Sequence, residues 1–207
     1  MSSKVLMSGN SAKGGRLLTA AFVLSIVLAP ASRLQAAQSA TNVTVTEKQG
    51  VYAVTAQFLV DQPPSAVLAV LTDYEAIPRF MPDVRSSIVR ERAGGRVVVE
   101  QEAVSSVMML SKRVHIILEI EEQPDALTFR DRCRTSFAKY EGAWRVSALD
   151  GETAITYELT AQPSFDVPGF MLKRLLRRDS AQMIAGLQRE IALRAGESAS
   201  PRSHTPR

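Results

Sequence analysis

Few residues of this 207-residue chain have side chains suited to chemistry. Glu100 and Glu102 fall two apart in a strand-like stretch and so share a face, and Asp131 and Glu141 lie in similar stretches. Inside an apolar pocket such a carboxylate could act as a base on an acidic carbon. On the wet face of a sheet it is only solvated charge. The single cysteine, Cys133, excludes an internal disulfide framework. It reads as a reactive thiol or, by preference, as a small half-buried strand residue. His115 and His204 are too few and too far apart for a metal site. Spacing alone assembles no nucleophile–base pair, phosphate-binding loop or ligand set. No cofactor and no metal are therefore expected, and a binding protein is preferred to an enzyme.

The elements that must position these residues can be read from hydrophobic periodicity. The longest helical pattern runs over residues 163–195. Leu172, Leu176, Met183, Leu187 and Ile191 recur at helical steps on one face, with Arg174, Arg178, Gln182 and Arg189 on the other. Asp166 is placed to cap its start, Pro168 to sit in its first turn and Gly196 to close it. Such a helix needs a partner, and what precedes it reads mostly as strands.

From Asn42 to Val60 the residues alternate and are β-branched, with a break at Gln49-Gly50, which predicts strand, turn, strand. Pro63-Pro64-Ser65 opens a short helix with Val67, Leu68 and Leu71 on its apolar side. Asp73–Pro82 is a second short helical segment or ordered loop. Strands are predicted over Val84–Arg92 and Arg96–Ala103 around Ala93-Gly94-Gly95, then around Val114–Ile120, over Leu127–Cys133, and on both sides of Asp150-Gly151. Antiparallel alternation buries one face of such a sheet and wets the other.

Residues 1–36 carry Lys4, Lys13, Arg16 and Arg33, no acid, and an apolar run from Leu17 to Ala29 followed by small residues. That layout is a cleavable signal peptide, with the cut falling near Ala31, Ala36 or Ser39, and implies export to a periplasm. An uncleaved anchor would need a longer span than this run. Removing residues 1–36 leaves 21 basic residues against 21 acidic ones. The remaining chain is close to neutral, so a nucleic-acid partner is not expected. The tail 196–207 has the composition of a disordered end.

The segments LTDYEAIPRFMPDVRSSIVRE, YEGAWRV and YELTAQPSFDVPGFMLKRLLRRD, in this order and spacing, resemble the START-type helix-grip superfamily. Within it they resemble the polyketide-cyclase-like and coenzyme-Q-binding branch, over roughly Val51 to Ala195. The resemblance implies an α+β fold over residues 42–195. A curved antiparallel sheet of about six to eight strands wraps one long C-terminal helix, with two short helices after the first strands. It also implies an apolar tunnel for lipids, isoprenoid quinones or polyketides. Its entrance would include Tyr74, Ile77, Phe80 and Met81, and its wall Phe129, Tyr140, Trp144, Tyr157, Leu172, Leu176 and Met183. An exported member cannot meet ribosomes, which excludes the association-blocking toxin role found in the superfamily.

Each sharper reading has a plainer counterpart. The aromatic set lines a cavity or simply fills a core. Phe170, Met171, Lys173, Arg174, Arg177 and Arg178 dock on an anionic membrane surface or form a solvated helix face balanced by Asp179. Val107-Met108-Met109-Leu110 is an exposed apolar tip or a buried strand segment. The expectation is an exported protein that holds a hydrophobic ligand between sheet and helix. An aromatase/cyclase-like enzyme using a cavity carboxylate, and an envelope interaction protein with no ligand, are the alternatives.

Overall fold

Three tight turns set the register of the sheet. Gln49 and Gly50 (φ 54° and 77°) join β1 (Asn42–Lys48) to β2 (Val51–Val60). Gly94 and Gly95 (55° and 79°) join β3 (Val84–Ala93) to β4 (Arg96–Val107). Asp150 and Gly151 (47° and 89°) join β7 (Phe137–Leu149) to β8 (Glu152–Pro163). Two successive positive φ values give hairpins whose twist matches that of the strands. With β5 (Leu110–Glu122) and β6 (Ala126–Asp131) the strands form one antiparallel sheet in the order β1-β2-β8-β7-β6-β5-β4-β3.

This computed structural model describes residues 42–81, 83–107 and 110–199, without the side chains of 105–112 and 199. The expected leader, the side chains of the Val107–Leu110 stretch and the end of the tail lie outside the described residues.

Between β2 and β3 the chain forms α1 (Pro64–Leu71), a 3₁₀ turn (Tyr74–Ala76) and α2 (Ile77–Phe80). The Pro63 carbonyl accepts the first N–H groups of α1, from Ala66 and Val67. Thr153, fully buried on β8, donates its hydroxyl to the Gln62 carbonyl and ties the sheet to this segment. The concave face is formed by alternating residues: Val54, Ala56 and Phe58 on β2, Val97 and Val99 on β4, Leu118 and Ile120 on β5, and Ile155, Tyr157 and Leu159 on β8.

The long helix α3 spans Gly169–Ala199. It lies against β1, β2, α1 and α2 and buries Leu172, Ser180, Ile184, Leu187 and Ile191. Three expectations at its ends are corrected. Pro163 belongs to β8, and the Pro168 carbonyl, not the Asp166 side chain, accepts the first helix bonds, from Met171 and Leu172. Gly196 lies inside the helix and does not close it, so the four residues from 196 to Ala199 are helical and not a loose tail. A third glycine matters more: a Cβ on Gly186 would overlap the Phe80 carbonyl oxygen, so its absence lets α3 close on α2. Near the other end Arg194 donates to Asp73 and to Glu190, both at 2.8 Å, and fastens α3 to the α1–3₁₀ junction.

Candidate functional site

The strand alternation and the helix stripe point toward one space, and they do not fill it. Two adjoining voids lie between the sheet and α3. The inner one, about 110 Å³, is lined by α1, the 3₁₀ turn, α2, β4–β8 and the middle of α3. The outer one, about 250 Å³, is lined by β3, β4, β5, β7, β8, the 164–168 connection and the first half of α3. Met81, Gln101, Tyr140, Tyr157 and Met183 border both, so these five side chains form the partition.

The structure brings together the residues of the expected tunnel, though not as entrance and wall. Tyr74, Ile77, Phe80, Phe129 and Trp144 line the inner chamber, Leu172 and Leu176 line the outer, and Met81, Tyr140, Tyr157 and Met183 line both. Tyr74 and Phe80 are buried, so they do not form an exposed entrance. The partly exposed lining residues Asp83, Val84, Phe165, Val167, Met171 and Leu175 surround the outer chamber, which therefore opens between the start of α3 and the β3–β4 edge. Phe170 projects away from it, 77% exposed, next to the exposed Lys173, Arg174, Arg177 and Arg178.

The aromatic residues interlock. Trp144 packs on Tyr157 with ring centroids 4.4 Å apart, and Tyr140 packs on Phe137 at 4.8 Å and on Phe129 at 6.0 Å. Gly142 makes room for this wall, since a Cβ there would collide with the Phe129 ring and the Glu158 carbonyl. The aromatics thus fill the core and line the voids at once.

Polar groups in the voids are few and mostly paired. The Tyr140 and Tyr157 hydroxyls are hydrogen-bonded to each other. Burial first, then Asp131, pushes the Tyr140 phenol up to about 12, and burial pushes Tyr157 well above its ordinary value. The Gln101 amide donates to Ser87 at 3.1 Å. Tyr74 sends its hydroxyl out of the inner chamber to Glu122 at 2.8 Å, with the Arg92 guanidinium 5.6 Å above its ring. In the outer chamber stand Asp83 and Asp179, the latter held by Arg178 at 2.8 Å. Gln101 was not singled out by sequence reasoning, although a polar residue in the inward series Val97, Val99, Gln101, Ala103 is a readable signal.

The carboxylates nominated from sequence lie elsewhere, because the inward series on β4 is the odd-numbered one. Glu100 pairs with Arg90 at 2.6 Å on the outer face, and Glu102 is exposed. Glu141 pairs with Lys139 at 2.8 Å, also outside. Asp131 is buried, and its oxygens accept the N–H groups of Ile117, Cys133 and Arg134. Those bonds draw the chain out of β6 at Asp131, so Cys133 lies on the β6–β7 connection and not on a strand. There its Sγ comes within 3.9 Å of His115 Nδ1, a nucleophile–base contact that spacing alone did not assemble. A broader trough of about 600 Å³ crosses the outer sheet face, and several of its charges are matched in cross-strand pairs such as Arg130–Glu119 and Arg145–Glu158.

A long helix gripped by a curved antiparallel sheet, with an apolar space between them, defines the helix-grip class of ligand-binding folds. The chain belongs to the polyketide cyclase/dehydrase and lipid transport family, whose model matches residues 60–188. Among solved structures it is similar to the protein TTHA0849 from Thermus thermophilus, with 22% identity over 72% of this chain and 99% of that one, at a TM-score of 0.61. It is similar to the Zhui aromatase/cyclase from a Streptomyces species, with 17% identity over 73% and 99%, at 0.62. It is also similar to the STAR-related lipid transfer protein from Xanthomonas axonopodis, with 14% identity over 73% and 98%, at 0.56. No curated protein matches the chain. These likenesses carry the fold and do not single out the coenzyme-Q-binding branch.

Proposed function

We propose that this chain is an exported binding protein that holds a hydrophobic small molecule, a lipid, isoprenoid or quinone-like compound, between its sheet and α3. The observation that carries the reading is the pair of adjoining voids with largely apolar linings and few, mostly paired polar groups. A pocket for a small molecule is typically ~300–1,000 Å³, mostly apolar, with a small number of placed polar groups. The outer chamber approaches that range. The inner one matches the scale, about 150 Å³, at which an apolar cavity takes up a single aromatic ring. A ligand would place a ring or branched end inside, lay its next segment past Met183 and the tyrosine pair, and emerge beside Met171.

Two further observations support a binding role. Among the described residues the inner chamber has no carboxylate in its lining, and its tyrosines are held neutral by burial, which favours retention over acid–base turnover. The mouth lies beside an exposed phenylalanine and four exposed basic side chains, the combination that suits an anionic membrane surface from which an apolar ligand could be taken. The leader-like residues 1–36 support export.

Binding of the apolar fluorophore N-phenyl-1-naphthylamine tests this reading. Met183→Trp would fill the partition between the chambers. It is expected to weaken binding by tenfold or more while leaving the thermal midpoint within a few degrees. Equal affinity in the variant would place the fluorophore elsewhere and remove the case for these chambers.

A further inference from the structure

On the outer face of the sheet, away from both voids, lies a group of residues with a different chemistry. Glu100 on β4, His115 on β5 and Cys133 on the β6–β7 connection form a line. His115 Nε2 is 2.9 Å from Glu100 Oε1, and His115 Nδ1 is 3.9 Å from Cys133 Sγ. Arg90 on β3 binds the other Glu100 oxygen at 2.6 Å. The hydrogen bond from His115, and secondarily that from Arg90, hold the Glu100 carboxyl below the usual range, so it is an acceptor only. Nε2 faces that carboxylate, so Nδ1 is the ring atom on the side of the thiol, whose S–H also has the His115 carbonyl oxygen as an acceptor at 3.8 Å.

The support beneath the thiol is rigid. Asp131 holds the Cys133 and Arg134 N–H groups at 3.1 and 3.0 Å, and Ser136 Oγ accepts the His115 N–H at 3.0 Å. Arg134 is kept at φ 54°, a left-handed conformation that an arginine adopts only when its surroundings fix it. Cys133 itself is partly accessible, and its neighbours Arg132 and Arg134 are exposed. A thiol beside a base, with the base oriented by a carboxylate, is the geometry of an activated nucleophile.

We propose that Cys133, His115 and Glu100 form a thiol–disulfide exchange site for small anionic disulfides, separate from the hydrophobic chambers. The anionic preference follows from the two flanking arginines. In the step, the Sγ proton passes to His115 Nδ1 and the Sγ electron pair attacks one sulfur of the incoming disulfide. The S–S bond breaks, a mixed disulfide with Cys133 forms, and the departing thiolate takes the proton from the imidazolium. One disulfide is consumed, one is formed and one thiol is released, with no net oxidation.

The rate of reaction with 5,5′-dithiobis(2-nitrobenzoate) at pH 7 tests this, using the whole protein and His115→Gln and Glu100→Gln variants shown by circular dichroism to be folded. A positioned base contributes upward of about a hundredfold, so His115→Gln should slow the native protein by roughly that factor. Glu100→Gln should slow it by a smaller factor, because the base remains but is no longer oriented by a carboxylate. In urea the three rates should converge. Native rates that agree within twofold across the three proteins would overturn the proposal, whatever the outcome of the fluorophore experiment. The two sites share no residue, so either can fail alone.

Discussion

The hydroxyls of Tyr140 and Tyr157 are hydrogen-bonded to each other at the boundary between the two chambers, and both phenols are raised, Tyr140 to about 12. Tyr52 and Tyr74 are raised as well, which accounts for all four tyrosines. A phenol whose folded pKa lies above its unfolded value of 10.0 keeps its proton in the native chain after the unfolded chain has lost it. The stability gained is complete below pH 10 and is lost as pH rises toward the folded values. Absorbance at 295 nm should therefore show less tyrosinate at pH 10 in the native chain than in the unfolded one, then a steep rise that coincides with loss of the far-ultraviolet dichroism. A gradual titration centred near 10 in a folded chain would contradict the burial described here.

That contact makes a finer prediction. Tyr157→Phe and Tyr140→Phe should each destabilise the fold by about 1 kcal/mol, the usual net contribution of one hydrogen bond. The double variant should cost less than the sum of the two, because the same contact is lost in each. Urea midpoints of the three variants give the comparison, and additive losses would show that the two hydroxyls act independently.

Two glycines of α3 predict opposite signs for the same substitution. Gly186→Ala would drive a methyl into the Phe80 carbonyl, so α3 must move off α2, at a cost of about 1–3 kcal/mol. Gly196 lies in the helix with nothing near its absent Cβ, so Gly196→Ala should stabilise by up to about 1 kcal/mol through helix propensity. Were Gly196 a left-handed cap, the second substitution would destabilise. Denaturant midpoints of the two variants separate these cases.

That last contrast shows where the sequence was readable. Hairpins marked by Gln49-Gly50, Gly94-Gly95 and Asp150-Gly151 were legible, because positive φ demands particular residue types, and so was the helix stripe ending in Leu187 and Ile191. The ends of α3 were not. Gly196 and Asp166 have cap-like chemistry, but a helix end is decided by what its backbone meets. Glu100 and Glu102 lie on the wet face, the plainer of their two readings, but the alternation alone did not decide it, since Val98 is buried beside Val97 and Val99. The Cys133–His115 contact spans 18 residues and depends on Asp131 drawing the chain out of its strand, a tertiary event with no local signature.

Docking at a membrane would fall to Phe170, 77% exposed, and to the basic side chains beside it. Each basic residue near an anionic surface contributes ~1 kcal/mol. Phe170→Ser combined with Arg174→Glu should reduce flotation with phosphatidylglycerol-containing vesicles by tenfold or more, and Arg174→Glu alone should leave the weak association with neutral vesicles unchanged. Flotation equal to that of the unaltered chain would mark this face as merely solvated.

The chambers themselves are tested most directly by their contents. The protein should be purified from its own host without detergent, weighed intact by native mass spectrometry, and then extracted with organic solvent. The expected result is a bound species of constant mass, close to one per chain, recovered as an apolar small molecule and absent from the Met183→Trp variant. A chain that is reproducibly empty, or one whose bound species survives that substitution undiminished, would contradict a ligand-holding role for these chambers.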